Sequence, residues 1–549
     1  MIALRYHEQT KHHFHRFARS LGYLDWATQP DPFRRYPGAE LVELPRERLA
    51  GSVRYPALFD GTAPAAPLTQ VAIGEFLRCS VGLSAWKQYG ASRWALRVNP
   101  SSGNLHPTET YVLTDRRVWH YAPREHALEE RAVLDAGGWD GWIGAPAPAF
   151  LVALASIHWR EAWKYGERAF RYCQHDAGHA LGALRLAAAL LGWRLALLPR
   201  WSDGQLAAVL GLDRDRDFGA AEREEPECVA AVTPGDPSLW ADRDPAPLVD
   251  AARQASWRGT ANHLSARHVP WPIIDEVAAA TRYPGIPPSP LRGFGGASPR
   301  TIAPRTVAPS HQHDLSARAI ILQRRSALAF DAASGLSREA LLVMLRRLRP
   351  EGPPWDAIDW PPQVHLALFV HRVEDLEPGV YAYLRDPAVL PEWKAAMRQE
   401  FLWHRVNDPN GPNDPNDPNG LFLLAPADCR RLANRVSCDQ DIAEDGFFSL
   451  GMIARLESSL LQRGEWFYRR LFWECGLIGQ VLYLEAETTG GRATGIGCFY
   501  DDPVHEVLGL TGHAWQSLYH FSMGVPVEDV RLTSEPGYEW EATKPMKTR

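Results

Sequence analysis

Two short stretches of the sequence carry residue types suited to holding a ligand. The first, here called the serine turn, runs from Asn99 to Glu109 and reads Asn-Pro-Ser-Ser-Gly-Asn-Leu-His-Pro-Thr-Glu. Its first proline fixes a backbone angle, its serines offer hydroxyl groups, and Gly103 lets a flat ligand approach the backbone. The second, here called the arginine segment, is Arg324-Arg325-Ser326, whose guanidinium groups and hydroxyl would suit a phosphate. Either stretch alone is also typical of an ordinary surface loop, so the prediction depends on both occurring in one duplicated chain.

Length and composition restrict the class of protein. A chain of 549 residues is too long for one hydrophobic core, so we expect about two or three domains. The net charge of −6 gives no basic surface for nucleic acid. The seven cysteines are scattered without a C-x-x-C pair, which disfavours a zinc ribbon or a disulfide scaffold and fits a reducing compartment. The first residues lack a signal-peptide pattern and charged residues break the most apolar run, so we expect a cytoplasmic protein without a membrane span.

The N-terminal region is rich in histidine and aromatic residues. The stretch from Tyr6 to Leu21 predicts a helix, and its histidines are His7, His12, His13 and His15. They lack the i, i+4 histidine pair with a nearby acid that is typical of zinc helices, so we predict no metal site and favour a solvated or partner-facing helix face. The stretch from Tyr23 to Gly38 predicts an irregular arm that lies across another domain.

An internal repeat with a shift of 298 residues is the most informative pattern. The matched pairs include Gly178 and Gly476, Gly192 and Gly490, Arg171 and Arg469, and Asp203 and Asp501. An ungapped match over about forty residues predicts two copies of one helix–strand–helix unit. A duplicated unit most simply forms an intramolecular pseudo-dimer, in which each half takes the place of one subunit of a homodimer.

Apolar spacing and turn residues predict an α+β fold in both copies. Each copy contains one long apolar helix, at Ala169 to Gly192 and at Phe467 to Thr488. The predicted division of the chain is an N-terminal arm over residues 1–64, a first domain over 65–235, a linker rich in Pro, Gly and Ala over 236–315, a second domain over 316–532 and a tail over 533–549.

The two copies keep different parts of a site. The second has the arginine segment, whereas the first has Arg54-Tyr55-Pro56. Only the first has the serine turn. The second also has Gly495-Ile496-Gly497, here called the glycine loop, where the repeat places Leu197-Leu198-Pro199 in the first. Because each half keeps what the other has lost, the sequence predicts one composite site at their junction.

At these residues the chain resembles the flavin-dependent nitroreductase family, and most closely its branch of azoline dehydrogenases from thiazole- and oxazole-forming peptide pathways. The family pattern R-R-S-x-R-x-F resembles Arg324 to Phe330. The branch pattern P-S-x-G-x-x-x-P-x-E is matched by Pro100, Ser101, Gly103, Pro107 and Glu109. The late G-x-G pattern resembles the glycine loop. The resemblance covers both predicted domains and implies an α+β fold of two tandem nitroreductase-like domains, with FMN at the interface.

The resemblance implies a role for each segment and one FMN per chain. Arg324, Arg325 and Ser326 would hold the FMN phosphate. The residues along the isoalloxazine ring would be Pro100, Ser101, Ser102, Gly103 and Asn104 from one half, with Gly495, Ile496 and Gly497 approaching the ring closely. Lys164-Tyr165 matches the place of the Lys-Tyr pair that serves in proton transfer in azoline dehydrogenases, although a surface turn is the alternative. His106 is a further candidate proton donor, for which we favour a structural role.

One departure from the family pattern bears on the phosphate grip. The second basic position after the serine is Leu328 in this chain. The grip is then weaker, or another residue such as Arg93, Arg97 or Arg531 takes its place.

The sequence leaves three functions open. The first is an FMN-dependent oxidoreductase that reduces a small molecule such as a nitroaromatic or a quinone, with NAD(P)H as donor. The second is a dehydrogenase that oxidises heterocycles in a modified peptide, with O2 or a partner as acceptor. The third is a non-catalytic descendant that binds a partner through its arm and a Trp-rich surface, which the loss at Leu328 keeps open. We expect a monomeric pseudo-dimer with no nucleic-acid or membrane partner.

Overall fold

Two seven-stranded antiparallel sheets, which share the topology of six strands and differ in the edge strand, frame the protein in the computed structural model, which describes residues 1–49, 53–143, 148–286, 314–406 and 420–541. The strands are β1 (Glu40–Glu43), β2 (Leu83–Tyr89), β3 (Ser92–Arg97), β4 (Thr108–Thr114), β5 (Arg117–Ala122), β6 (Ala127–Val133), β7 (Phe150–Ser156), β8 (Arg194–Leu197), β9 (Glu225–Thr233), β10 (Val364–Val370), β11 (Gly379–Tyr383), β12 (His404–Arg405), β13 (Leu421–Pro426), β14 (Phe448–Arg455), β15 (Arg492–Ile496), β16 (Trp515–Gly524) and β17 (Thr533–Pro536). The first sheet has the order β1-β6-β5-β4-β7-β9-β8 and the second the order β12-β13-β11-β10-β14-β16-β15. A small third sheet, β17-β2-β3, joins the end of the chain to the first half.

Helices cover both large sheets on each face. They are α1 (Ile2–Gln9), α2 (Ala57–Asp60), α3 (Gln70–Arg78), α4 (Ala136–Ile143), α5 (His158–Tyr165), α6 (Ala169–Leu190), α7 (Asp203–Leu210), α8 (Asp215–Phe218), α9 (Ser238–Ala241), α10 (Ala246–Gln254), α11 (Pro272–Ala280), α12 (Ala317–Gln323), α13 (Arg338–Arg347), α14 (Leu390–Ala396), α15 (Arg430–Val436), α16 (Ile442–Asp445), α17 (Leu456–Arg463), α18 (Phe467–Thr488) and α19 (Asp501–Leu508). Every residue of the central strands β7 and β10 is buried, because these strands have helices on both faces. The fold is therefore α+β and duplicated, as the repeat predicts.

The long helices α6 and α18 cross at the two glycines that the repeat matches. A Cβ atom added to Gly178 would lie 2.6 Å from the Cα atom of Trp473. A Cβ atom added to Gly476 would lie 2.6 Å from the backbone nitrogen of His179. Only glycine permits backbones to approach this closely, so the repeated glycines are explained by the helix crossing.

Two reciprocal ion pairs join the halves near this crossing. Arg171 of α6 binds Asp501 of the second half at 2.8 Å, and Arg469 of α18 binds Asp203 of the first half at 2.5 Å. All four side chains are buried. The repeat matches arginine with arginine and aspartate with aspartate, so the contact is made twice with the roles of the halves exchanged. This is the pattern of a twofold, self-complementary interface, here within one chain.

The N-terminal helix is shorter than the sequence predicts. It ends at Gln9 rather than near Leu21, because Arg171 and Arg168 take the carbonyl oxygens of His7 and Thr10 from the helix end. His7 is buried between the hydroxyl of Tyr468 and the side chain of Gln516, and burial lowers the pKa of His7 strongly. The predicted solvated histidine face is therefore wrong at His7.

The arm and part of the predicted linker pack onto the first half. Arg34 of the irregular arm pairs with Glu224 at 3.0 Å, and both side chains are buried. Within residues 236–286 the structure contains α9, α10 and α11, and α10 contributes to the core on the outer face of the first sheet. Residues 287–313 of the predicted linker and 542–549 of the predicted tail lie outside the described residues, and the domain limits stay a prediction. In the part of the chain that is described, none of the helices is both long enough and apolar enough to cross a membrane.

Candidate functional site

The arginine segment contacts the residues that come directly before the serine turn. The guanidinium of Arg324 donates to the carbonyl oxygens of Val98 at 3.1 Å and Arg97 at 3.0 Å. These carbonyls come directly before the serine turn, although 226 residues separate Val98 from Arg324. The contact joins the two halves at one end of the candidate site, here called the cleft, to which both halves contribute residues.

The serine turn presents its tip to solvent. Ser101 Oγ accepts a hydrogen bond from the backbone N–H of His106 at 2.8 Å, which closes the turn. Gly103, Asn104 and His106 have positive φ values of 57°, 59° and 51°. This left-handed backbone favours glycine and asparagine, which accounts for the Gly-Asn pair in the sequence. Gly103 is exposed at the tip, and Ser101 and Ser102 are half-buried beside it.

Glu109 anchors the far end of the turn. Its buried carboxylate forms an ion pair with Arg160 and accepts a hydrogen bond from Nε2 of His120 at 3.0 Å. Burial opposes its charge, but Arg160 and the hydrogen bond from His120 hold the pKa of Glu109 at about 2. Arg160 also donates to the carbonyl oxygen of His106 at 2.7 Å. The glutamate of the branch pattern is therefore a structural residue that fixes the turn.

His106 has structural surroundings as well. Its Nε2 is 2.9 Å from the Oδ1 of Asn104, and its backbone is held at both N–H and C=O. Burial and then the charge of Arg97 lower the pKa of His106 strongly, so the ring is neutral. These contacts favour the structural role over proton donation.

Lys164 and Tyr165 lie against the tip of the serine turn. They end α5, and a Cβ atom added to Gly103 would lie 2.6 Å from the Tyr165 hydroxyl and 3.2 Å from the Lys164 Nζ. Both side chains are half-buried. The Tyr165 ring packs on Tyr172 of α6 with 4.4 Å between centroids, and burial raises the pKa of Tyr165 well above its ordinary value. The structure thus brings the Lys-Tyr pair to the same cleft as the turn.

Two buried carboxylates stand behind this pair. Asp176 of α6 accepts hydrogen bonds from the backbone N–H of Ser102 at 3.0 Å and from its hydroxyl at 3.1 Å. Burial raises the pKa of Asp176 to about 7. Glu161 is fully buried, and neither of its oxygens has a hydrogen-bond partner among the described residues. Burial and then the charge of Asp176 raise the pKa of Glu161 strongly. The sequence gives one indication that Asp176 is important, because the repeat matches it with another acidic residue, Glu474.

The arginine segment lacks acidic partners for its side chains. Arg325 donates to the carbonyl oxygens of Ser84 at 2.8 Å and Leu322 at 2.9 Å, and Ser326 Oγ lies 3.0 Å from the Tyr483 hydroxyl. In the described residues neither Arg324 nor Arg325 forms an ion pair with a carboxylate. Burial and then the charge of Arg324 lower the pKa of Arg325 to about 10. Glu487 lies nearby and accepts a hydrogen bond from the backbone N–H of Arg325 at 3.0 Å, but it pairs with neither guanidinium, so this end of the cleft is suited to an anion.

Two further basic residues, Lys87 and Arg492, lie near the arginine segment, and the sequence does not predict them as phosphate-binding residues. Burial and the charges of Arg325 and Arg492 lower the pKa of Lys87, so the three cations lie within range of one another. Leu328, in contrast, is 72% exposed. The substitutes suggested by the sequence are engaged elsewhere, Arg93 with Glu535, Arg531 with Asp529, and Arg97 with backbone carbonyls. Arg492 and Lys87 add positive charge near this end, and Arg492 is itself paired with Glu528 at 2.5 Å.

The glycine loop packs its backbone closely against tyrosine side chains. A Cβ atom on Gly495 would overlap the Tyr519 side chain, and one on Gly497 would lie 2.8 Å from the Tyr172 ring. The N–H of Gly495 donates to the Tyr483 hydroxyl at 2.9 Å, which links the loop to the arginine segment. Ile496 is 3% exposed and packs into the core of the second half.

Taken together, these groups fit FMN. Guanidinium groups that bind backbone carbonyls but no carboxylate stand with a serine hydroxyl at one end of the cleft, where a phosphate would bind. Glycine backbone, a serine turn and tyrosine rings stand along the rest, where a flat ring would bind. No group of three or more metal-ligating side chains occurs within the described ranges.

The pseudo-equivalent position in the other half is filled by side chains. The repeat matches Tyr172 with Arg470, whose guanidinium lies between 4.7 and 5.4 Å from the ring centroids of Tyr283, Trp360, Trp466 and Trp473. Trp360 Nε1 also donates to Glu474 at 3.2 Å. In the first half the triplet Arg54-Tyr55-Pro56 takes the place of the arginine segment, and the Tyr55 hydroxyl donates to Glu485 at 2.7 Å. The second position therefore differs in both charge and available space.

Comparison with known proteins bears on the family and the fold. Residues 88–221 match the model of the nitroreductase family. A putative nitroreductase from Anabaena variabilis is similar over 96% of this chain and 99% of its own, with 22% identity and a TM-score of 0.65. A chain of the Escherichia coli microcin synthetase McbBCD complex, with truncated pro-MccB17 bound, is similar over 35% of this chain and 71% of its own, with 20% identity and a TM-score of 0.25. An FMN- and NADPH-dependent nitroreductase, NfnB from Sphigopyxis sp. strain HMH, is similar over 43% of this chain and 100% of its own, with 16% identity and a TM-score of 0.22.

No curated protein sequence matches the chain significantly. The similarity to the Anabaena structure extends over both halves, whereas the family model matches within the first. The chain thus carries a nitroreductase-family segment at residues 88–221, set in a nitroreductase fold that is built from two tandem copies.

Proposed function

We propose that the chain is an FMN-dependent oxidoreductase of the nitroreductase type, with one flavin bound between its two halves. The observation that carries the proposal is the meeting of the serine turn, the arginine segment, the glycine loop and Lys164-Tyr165 in one cleft. NAD(P)H is the proposed electron donor and a small molecule such as a nitroaromatic or a quinone the proposed acceptor. A cytoplasmic setting is part of the proposal, because the scattered cysteines favour a reducing compartment.

The phosphate would be held by the arginine segment. Arg325 and the Ser326 hydroxyl would bind the phosphate directly, and Arg492 with Lys87 would add positive charge. Arg324 would add its charge while its hydrogen bonds keep the serine turn in place. Because Arg324 and Arg325 have no carboxylate partner to give up, binding an anion costs no broken ion pair at these two residues, whereas Arg492 is paired with Glu528 at 2.5 Å.

When bound, FMN supplies the electron transfer, and the protein supplies position and proton control. Residues Pro100 to Asn104 would contact one part of the ring and the glycine loop another. The Tyr165 hydroxyl and the Lys164 ammonium stand beside Gly103 as candidate proton donors. Asp176, whose pKa burial raises to about 7, holds a proton behind Ser102 near neutral pH.

One flavin per chain is proposed because the pseudo-equivalent position is packed. Arg470 among its four aromatic rings and the Tyr55–Glu485 hydrogen bond fill that region. The test is the flavin content of the full-length protein, released by heat and counted against protein after soaking in FMN. About one FMN per chain supports the composite site. Two per chain would overturn the single site, and none would overturn the proposed function.

A substitution tests the phosphate grip. Arg325→Ala removes a charge-assisted hydrogen bond to phosphate worth about 1.5–3 kcal/mol, which is about a 10- to 100-fold loss of FMN affinity. Arg54→Ala is the matched control, because Arg54 belongs to the corresponding triplet of the other half. Flavin fluorescence titration should show the loss in the first variant only. Equal affinities in Arg325→Ala and the wild type would contradict the assignment.

A second candidate, oxidation of azoline rings in a peptide, is favoured by the contact of Lys164-Tyr165 with the serine turn. The assay offers a thiazoline-containing peptide with O2 as acceptor, and separately a quinone with NADPH. A general acid or base contributes about 10²- to 10⁴-fold to rate. The second candidate would be favoured if the rate of thiazole formation falls by this factor in Lys164→Ala while the flavin content stays unchanged. The first candidate, reduction of a small molecule, would be favoured if the wild type forms no thiazole and Lys164→Ala reduces the quinone as fast as the wild type.

A further inference from the structure

Two cysteines from distant parts of the second half meet beside the cleft. The Sγ atoms of Cys438 and Cys498 are 2.9 Å apart, although 60 residues separate them in sequence. Cys498 directly follows the glycine loop, and Cys438 lies just after α15. Both side chains are half-buried, so small molecules in solvent can reach them.

Backbone contacts on both sides hold the two sulfur atoms together. The side chain of Gln440 donates to the carbonyl oxygen of Cys498 at 2.9 Å and to that of Ser437 at 2.7 Å. The Tyr500 N–H donates to the carbonyl oxygen of Val436 at 2.9 Å, and its hydroxyl donates to Asp439 at 3.1 Å. The contact is therefore a product of the fold of both segments and not of two loose side chains.

The backbone at Cys438 is shaped for this contact. Cys438 and Asp439 have positive φ values of 56° and 55°. Residues other than glycine rarely adopt this conformation, and it costs about 1–3 kcal/mol per residue where it is imposed. The turn directs Cys438 towards the glycine loop at that cost.

The remaining cysteines offer no such arrangement. Cys79, Cys173, Cys429 and Cys475 are buried, and Cys228 is half-buried without a second sulfur within bonding reach. Burial raises the pKa of Cys228 to about 12. In contrast, the hydrogen bond from Cys438 lowers the pKa of Cys498. The ordinary expectation of a reducing compartment does not exclude reactive pairs, since intracellular disulfides are typically transient, catalytic or redox-sensing.

We propose that Cys438 and Cys498 are a redox-active dithiol that closes reversibly to a disulfide. A disulfide has an S–S distance of about 2.05 Å, so the sulfur atoms need to approach by less than about 1 Å. The site is independent of the proposed flavin, because its oxidant can come from solution.

The reaction balances by thiol–disulfide exchange with a small disulfide. The Cys498 thiolate attacks one sulfur of the small disulfide and expels its other half as a thiolate. Cys438, after losing its proton to water, attacks the Cys498 sulfur of the mixed disulfide and expels the second thiolate. Cys438 and Cys498 together lose two electrons and two protons, and the small disulfide becomes two thiols. A dithiol such as dithiothreitol reverses the sequence.

The experiment uses the full-length protein, freed of reductant and treated with glutathione disulfide. Remaining thiols are alkylated under denaturing conditions, and tryptic peptides are mapped without reduction. The expected result is the loss of two of the seven thiols and a crosslink between the peptides 436–455 and 493–531. Dithiothreitol should restore all seven. Cys228→Ser should keep the crosslink, as the matched control, and Cys498→Ser should abolish it.

Three outcomes would overturn the proposal. The first is retention of all thiols in the treated wild type, and the second is glutathione attached to single cysteines in place of the crosslink. The third is a disulfide crosslink between two cysteines other than Cys438 and Cys498. Because the peptide map of the wild type decides all three, the test does not depend on whether a serine variant folds.

Discussion

Replacing Gly178 with alanine should force the two long helices apart. The added Cβ atom would lie 2.6 Å from the Trp473 Cα, whereas ordinary contacts begin at 3.4 Å. The helix backbones must therefore separate by about 0.8 Å or more, and no flexible side-chain end can give way in their place. Overpacking of this kind costs about 3 kcal/mol at the upper end of the usual range. Alanine recovers about 1 kcal/mol of helix propensity, which leaves a net loss of about 2 kcal/mol.

Urea denaturation followed by circular dichroism measures this loss. Gly204→Ala in α7 is the matched control, because a Cβ atom there meets nothing within 4 Å. It should stabilise the protein by up to about 1 kcal/mol. Gly476→Ala meets the same crossing from the other helix and should cost about as much as Gly178→Ala.

The double variant sharpens the test. Once one alanine has moved the helices apart, the second alanine has part of the space that it needs. The stability loss of the double variant should therefore be smaller than the sum of the two single losses. Additive losses, or a Gly178→Ala protein as stable as the wild type, would refute the claim that this crossing sets the distance between the halves.

Three other predictions rest on the site and its supports. Asp501→Asn leaves the buried Arg168 and Arg171 without their carboxylate and should cost about 3–5 kcal/mol in urea denaturation, whereas Asp529→Asn at an exposed pair should change little. Burial opposes the charge of His120, but the carboxylate partners that it gains on folding raise its pKa from 6.5 to about 9. The charged His120 therefore stabilises the fold below pH 6.5, and this stabilisation is lost as the pH rises to about 9. The urea midpoint of the wild type should approach that of His120→Gln over this interval, and a constant difference would contradict the pairing. Tyr483→Phe removes the hydroxyl that joins Ser326 to the Gly495 N–H and should weaken FMN binding about 2- to 10-fold in a fluorescence titration, with the urea midpoint as the control for folding.

The sequence predicts well what depends on local pattern and on the repeat. The helix from Phe467 to Thr488 has the predicted limits, and the first long helix ends within two residues of the prediction, because apolar faces and terminal glycines mark both. The matched arginines, aspartates and glycines of the repeat also predict a duplicated contact surface, since one shift relates them all. The structure adds that these residues contact each other across the halves.

Features that depend on distant partners escape the sequence. The helix at the N-terminus stops early because two arginines about 160 residues away bind its end. Arg171 binds the carbonyl oxygen of His7 and the Thr10 hydroxyl, and Arg168 binds the carbonyl oxygen of Thr10. Arg492 and Lys87 come to the arginine segment from separate strands, so spacing in the chain carries no sign of them. Glu161 sits in a short helix whose pattern resembles a surface helix, and only the tertiary fold shows that its carboxylate is buried without a partner.

The covalent link between the halves has a consequence for how the composite cleft is inherited. If the two halves were separate subunits pairing at random, only about half of the dimers would combine one copy of each. In one chain every molecule contains the correct pair, and the tether keeps each half at a high effective concentration for the other. Selection can then act on each half separately. Each copy is free to use residues of the second position for packing, as with Tyr55 in the first half and Arg470 in the second, while it keeps its part of the proposed composite site.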